Sequence, residues 1–291
     1  GGATQSGTTS ASIGDATTFS FQTGIMANTL LFGNVRVSSW KNNQVFIHFG
    51  SVNSAFYIWI NGKKVGYSEG SKTPAEFNIS NYIVEGENHI ALQVIRWSDG
   101  TYIEGQDFWR LSGIQRDVRV YSSPSKFSLR DFRVQTNLTN NYSNAKVSIE
   151  TKLQNFDNRK SQCRVRYELF NGDTLVQSTE EALNILENSS SFSNAKFTLN
   201  NPKLWSAENP NLYKLWVRVL DQNGAESQAI SQDIGLVENK ISNGQFLVNG
   251  KPILFKGVNR HEHDEVTGQV ISKEAMLEDI KIMKANNINA V

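Results

Sequence analysis

The chain has 291 residues, with 29 Lys and Arg against 28 Asp and Glu, for a net charge of +1. That balance excludes the basic stripe of a nucleic-acid binder and the acidic tail of a charge-driven partner, so no nucleic-acid partner is expected. No apolar run reaches the roughly 18–20 residues of a membrane-spanning helix, so no membrane partner is expected, and the lone Cys163 excludes an internal disulfide or a multi-thiolate zinc site.

The first residues, GGATQSGTTSASIGDATTFS, are Gly, Ser, Thr and Ala-rich, and residues 1–38 are expected to be a low-complexity or non-native leader. No basic segment followed by an apolar stretch is present, so no signal peptide is visible; the compartment stays open between cytoplasmic and periplasmic or secreted. Residues 39–123 read as a β-sandwich. QVFIHFG, AFYIWING, HIALQVIRW and RDVRVYS are short runs rich in aromatic and β-branched residues. Asn61-Gly62 marks a two-residue hairpin, which needs positive φ at both positions, and Gly86 marks another turn. Residues 124–235 form a second unit of strands (FSLRDFRVQTNL, KVSIETKLQNF, CRVRYELFN, KFTLN, LYKLWVRVLD) with turns such as Asn171-Gly172-Asp173. Their length and rhythm predict an immunoglobulin-like sandwich, with Cys163 as a buried small hydrophobe.

From residue 236 the pattern changes. A hairpin at Asn249-Gly250 leads into ILFK, predicted to be an apolar strand buried on both faces. Ser272 is expected to cap a helix whose apolar face holds Ala275, Met276, Leu277, Ile280 and Met283. INAV (288–291) then opens another strand. Strand, helix, strand predicts a βα unit with a parallel partner, and since such a unit cannot stand alone, residues 236–291 are expected to begin a (β/α) barrel and the chain to be a fragment of a longer protein.

Two segments carry the chemistry. RWSDGTYIEGQDFWRLSGIQRDVR (96–119) mixes Asp99, Glu104, Asp107, Arg110, Arg116 and Asp117 with Trp97, Tyr102, Phe108 and Trp109. Rings beside carboxylates suit a sugar, because rings stack on C–H faces while carboxylates accept hydroxyl hydrogen bonds; the competing reading is a structural loop held by Arg–Asp pairs. GVNRHEHD (257–264) follows the apolar strand and places His261, Glu262 and His263 where a barrel meets its ligand, at the C-terminal ends of strands. A His-x-His zinc site lacks a third ligand; a neutral imidazole donating to a hydroxyl fits better, and His263 is read as bracing the barrel mouth. G-x-S-x-G, P-loop and G-x-G-x-x-G motifs are absent, and the N-x-S/T triplets at Asn78, Asn137, Asn141 and Asn188 carry no weight.

FIHFGSVNSAFYIWINGKKVGYSEGSKTPAEFNIS, RWSDGTYIEGQDFWRLSGIQRDV and LVNGKPILFKGVNRHEHDEVTGQV resemble the family 2 glycoside hydrolases, and within them the bacterial-type β-galactosidases. The resemblance runs from Trp40 to Val291. It implies a mostly β fold in which a jelly-roll sandwich and an immunoglobulin-like sandwich precede the first βα unit of a truncated TIM barrel. It further implies hydrolysis of terminal β-galactosides with retention by the complete protein. Asp107 matches an aspartate that holds a galactose hydroxyl and, in some members, a sodium ion; His261 matches a histidine that contacts the sugar. Trp109, Arg110, Glu262 and His263 would support them. Retaining glycosidases use two carboxylates about 5 Å apart; in this family both are glutamates on later barrel strands, so no catalytic residue is expected in this chain. Magnesium and sodium would belong to the complete enzyme, the magnesium ligands to later barrel segments, and a homo-oligomer is compatible with it. Two departures stand out: no N-P-x-G stretch can be placed in MANTLLFGNVRVSSW, and Gly235-Leu236-Val237 replaces the usual G-F-R turn. The alternatives are a non-catalytic carbohydrate-binding or assembly fragment, or another family 2 activity such as β-glucuronidase.

Overall fold

The computed structural model describes the strands at residues 5–6, 17–19 and 29–37, residue 40, and residues 43–291. The described chain is mostly β, and it divides into two compact units, each with its own core.

One unit contains Ser123–Leu254. Two four-stranded antiparallel sheets make its sandwich: Gln5–Ser6, Ser128–Thr139, Asn144–Gln154 and Ser190–Asn200 in that order, and Thr174–Ile185, Ser161–Asn171, Tyr213–Leu220 and Glu226–Ile234 in that order. Alternate residues point inward, as the period of two demands. Val147, Ile149 and Leu153 on one sheet share a core with Val165, Tyr167, Leu169, Leu215, Val217 and Val219 on the other. Cys163 lies in that core, where burial alone pushes its thiol up to about 11. The expected turn at 171–173 is a two-residue connection, Asn171 pairing with Thr174. A small sheet of Asn239–Ser242, Gln245–Val248 and Lys251–Pro252 completes this unit, with Asn249 and Gly250 at the hairpin tip, both at positive φ.

The other unit contains Gly14–Ser122 and Phe255–Val291. Its sandwich pairs a sheet ordered Thr17–Phe19, Val118–Pro124, Asn43–Phe49, Ala75–Asn78 with one ordered Thr29–Val37, Gly86–Ile95, Ala55–Ile60, Lys63–Glu69. Ile47, Phe49, Phe56, Ile58, Ile90 and Leu92 fill the space between them. Ile60 pairs with Lys63 across Asn61 and Gly62, whose φ values of 50° and 77° fit the expected hairpin turn. The strand Thr29–Val37 falls inside the stretch expected to be a leader, and the structure corrects that reading there: it pairs along its length with Gly86–Ile95, and Val35 and Val37 are buried. The remainder of residues 1–28 lies largely outside the described residues.

At the C-terminal end, the helix α2 (Lys273–Ala285) forms where expected, with the Ser272 hydroxyl accepting from the Ala275 amide at 3.1 Å and Glu274 in the first turn. The expected strand INAV is not formed as a strand; its parallel pairing is present as one isolated bridge, Gly257 with Ala290, with Asn289 donating to Lys256 and Val258 to Ala290 beside it. The expected apolar strand ILFK is a correction. Residues 253–256 are not in a ladder, and Leu254 and Phe255 are exposed. A parallel strand becomes buried only when strands flank it and helices cover it, and among the described residues this segment meets a single parallel neighbour. The apolar face of α2 stays exposed for the same reason, with Leu277, Ile280 and Ile282 about half accessible.

Candidate functional site

The segment 96–111 leaves the end of strand Gly86–Ile95 and returns through Gly113–Ile114. It contains a short helix, α1 (Asp99–Ile103). A cluster of hydroxyls fixes α1: Ser54 and Ser98 share a hydrogen bond at 2.7 Å, and Thr101 donates to Ser54 at 2.8 Å. Ser71 then ties down the residue that follows, donating to Glu104 Oε2 from its amide at 3.0 Å and its hydroxyl at 2.6 Å. A tight turn after Gly105, closed by the Phe108 amide on the Gly105 carbonyl at 2.8 Å, delivers Asp107, Phe108 and Trp109 in succession.

GVNRHEHD brings its rings against these two aromatics. Trp109 stacks on His263, with centroids 4.4 Å apart and planes within 17°. Phe108 meets His261 edge-on at 4.5 Å and His263 at 5.7 Å. The two imidazoles lie parallel, 5.8 Å apart. Trp109 is 60% exposed despite its stack, which leaves ring surface for a ligand. Asp107 is exposed beside this cluster. The Nε2 of His263 is buried without a hydrogen-bond partner.

The remaining expected residues have structural partners. Glu262 faces Arg116 at 3.7 Å. The Arg110 guanidinium sits over Tyr102 at 5.7 Å, while its backbone carbonyl accepts from Arg96 at 3.1 Å. Arg260 donates to Asp279 of α2 at 2.7 Å, fastening the start of this loop to the helix. A cleft of about 520 Å³ opens alongside, with Trp109, Arg110 and Glu262 in its lining and Met276, Ile280 and Met283 of α2 as its apolar wall; Asp107, His261 and His263 are not among its lining residues.

Sequence reading missed Lys72, Gln115 and Gln269. Lys72 donates to Gln115 at 2.7 Å and to Gln269 at 3.5 Å, and its ammonium lies 5.4 Å from the Phe108 ring centre. Desolvation holds that ammonium below the usual lysine range; Glu262 opposes the shift and Arg116 adds to it. No spacing pattern could have found these three, because the fold assembles them from distant positions. Among the described residues no group of three or more His, Cys, Asp or Glu side chains converges. No step is assigned to a metal here.

Comparison with known proteins decides the family. "Glycosyl hydrolases family 2, sugar binding domain" matches residues 18–124, "Glycosyl hydrolases family 2" matches 127–236, and "Glycosyl hydrolases family 2, TIM barrel domain" matches 239–291. The chain belongs to glycosyl hydrolase family 2. Its jelly-roll, immunoglobulin-like and barrel-opening segments are thus three successive domains of that family. A "Beta-galactosidase" of Priestia megaterium is 43% identical over 258 residues, covering 87% of this chain and 25% of that protein. One from Alteromonas mediterranea is 44% identical over 253 residues, covering 84% and 24%. The chain spans about a quarter of the length of these relatives. Among solved structures, a family 2 member from Bacteroides cellulosilyticus superposes with a TM-score of 0.80 at 21% identity, over 89% of this chain and 36% of that one. The beta-glucuronidase of Bacteroides uniformis gives 0.79 at 22%, over 88% and 32%. These likenesses concern the fold.

Proposed function

We propose that the complete protein is a β-galactosidase that removes terminal, non-reducing β-D-galactose with retention, and that this chain supplies part of its sugar subsite. The observation that carries the reading is the identity of 43–44% to beta-galactosidases across 84–87% of the chain. The geometry is compatible. A pyranose offers an apolar C–H face and a rim of hydroxyls; the exposed surface of Trp109 suits the first, and the exposed Asp107 carboxylate and the His261 imidazole suit the second. Asp107 is the acceptor for a sugar hydroxyl, and His261, propped against Phe108, is a donor or acceptor beside it.

Retention requires a general acid/base and a nucleophile as a carboxylate pair. Glu262 is engaged by Arg116 and Glu104 by Ser71, so each already has a structural role. We assign this chain binding and positioning, and place the catalytic carboxylates elsewhere in the complete protein. Magnesium and sodium, where the complete enzyme uses them, belong to the same proposal.

The test is turnover of nitrophenyl β-galactoside and nitrophenyl β-glucuronide by the complete protein and by the 291-residue chain. The expected result is hydrolysis of the galactoside by the complete protein alone, with Asp107→Ala and His261→Ala raising KM by about tenfold or more, the scale of a lost hydrogen bond to a charged group. Preference for the glucuronide, or hydrolysis by the 291-residue chain that survives both substitutions, would overturn the assignment.

A further inference from the structure

Trp109 is gripped at two points by one turn. Residues 264–268 close on themselves through paired backbone bonds between Asp264 and Gly268, and the Asp264 carboxylate accepts from the amides of Val266 and Thr267 at 2.9 and 2.8 Å. These bonds hold its carboxyl below the usual range. His263 precedes this turn and stacks on the Trp109 ring. Gln269 follows it and donates from Nε2 to the Trp109 carbonyl at 2.8 Å. Gln269 is 6% exposed, and its Oε1 accepts from Lys72 and from Gln115.

The direction of that carboxamide is forced. An ammonium only donates, so the oxygen of Gln269 must face Lys72, and the nitrogen is left facing the Trp109 carbonyl. The segment it holds has no sheet ladder of its own between Glu104 and Ser112. Two local backbone bonds, from the Phe108 amide to the Gly105 carbonyl and from the Leu111 amide to the Trp109 carbonyl, fold it on itself, and two side-chain donors tie it to its surroundings: Gln269 on the carbonyl of Trp109 and Arg96 on the carbonyl of Arg110.

We propose that Gln269, oriented by Lys72, is a positioning residue of the sugar subsite: it fixes the main chain at Trp109, and thereby the exposed tryptophan face and the Asp107 carboxylate two residues earlier. This rests on the sugar-site reading given above. Gln269 touches no substrate; it acts through Trp109.

Three variants test it. Gln269→Glu keeps the size and the acceptors but turns an oxygen toward the Trp109 carbonyl. Gln269→Met keeps the length and removes all polarity. Lys72→Met removes one of the two donors to Gln269 Oε1 and leaves Gln115 as the other; it also removes the ammonium from Gln115 and from the Phe108 ring. Amide hydrogen exchange on the 291-residue chain is expected to be about tenfold faster across residues 105–112 in both Gln269 variants, and unchanged in the strand Ala55–Ile60. In the complete protein, KM for nitrophenyl β-galactoside is expected to rise about tenfold with kcat held within about twofold, the pattern of lost ground-state binding. Lys72→Met should shift both readouts the same way, by less, and it decides the matter should either Gln269 variant fail to fold. Unaltered exchange across 105–112, or a loosened loop with unchanged KM, overturns the proposal. Should the complete protein turn over a different glycoside, the galactosidase reading fails, and the same KM comparison on that glycoside still decides the role of Gln269.

Discussion

Asn88 is fully buried in the strand Gly86–Ile95, which runs directly into the aromatic loop, and its carboxamide has every hydrogen-bonding position filled. Its Oδ1 accepts from the Val84 amide at 2.7 Å and from Asn61 Nδ2 at 2.9 Å, while its Nδ2 donates to the carbonyls of Val84 at 2.8 Å and Gly86 at 3.1 Å. Asn88→Leu strips all four. At about 1 kcal/mol net for each bond, with some of the freed groups regaining water, the loss should be about 3 kcal/mol. For a domain of about 100 residues that is a fall of about 12–24 °C in midpoint. Asn88→Asp separates donor from acceptor. It keeps the Oδ1 bonds but points a second oxygen at two carbonyls, which disfavours the anion and raises its folded-state pKa above the unfolded value of about 3.9. The folded state then binds the proton first, so the deficit relative to the parent chain is full near pH 7 and shrinks as pH falls toward 4. Urea melts followed by tryptophan fluorescence at pH 7 and pH 4.5, parent beside variant, measure it. An aspartate variant as stable as the parent at pH 7, or one whose deficit is the same at both pH values, would refute the reasoning.

Gly66→Ala would place a Cβ 2.5 Å from Phe77 Cε1, a side chain packed against the sandwich core, so a loss of about 1–3 kcal/mol is expected in the same melts. Ser272→Ala removes the cap of α2 and should cost about 1 kcal/mol of helix stability, read as faster exchange of the amides of 273–276; unchanged exchange would show that other contacts hold the helix. Cys163 should resist a disulfide reagent at pH 8 in the folded chain and react at once on unfolding. With its folded pKa up to about 11, the thiol's contribution to stability is complete below its unfolded pKa of about 8.5 and is lost as pH rises toward 11. Labelling at the rate of a free thiol at pH 8 would contradict its burial.

The features legible in the sequence are those with a local cause. Asn61-Gly62 and Asn249-Gly250 sit at positive φ as hairpin tips must, and Ser272 caps α2 with its own hydroxyl. The features that were misread depend on partners. ILFK is as apolar as a buried barrel strand, but apolarity does not say which strands will flank it. The strand Thr29–Val37 hid for a related reason: Leu30 and Phe32 are apolar yet point outward at 58% and 75% exposure, while Val35 and Val37 point inward. The alternation that announces a half-buried strand is thereby erased.

The candidate site divides along the same line. Its reactive-looking residues were visible because rings, imidazoles and carboxylates crowd two short segments. Their arrangement was not, because it depends on residues with no chemical signature. A buried glutamine is unremarkable as a letter in the chain, and a lysine at position 72 reads as solvated surface. The fold sets Lys72, Gln115 and Gln269 in one hydrogen-bonded row that ends on the Trp109 carbonyl, and on the proposal above that row helps aim Asp107 and the stacked Trp109–His263 pair. Composition can nominate the groups that touch a ligand, whereas the groups that aim them are found through three-dimensional contact.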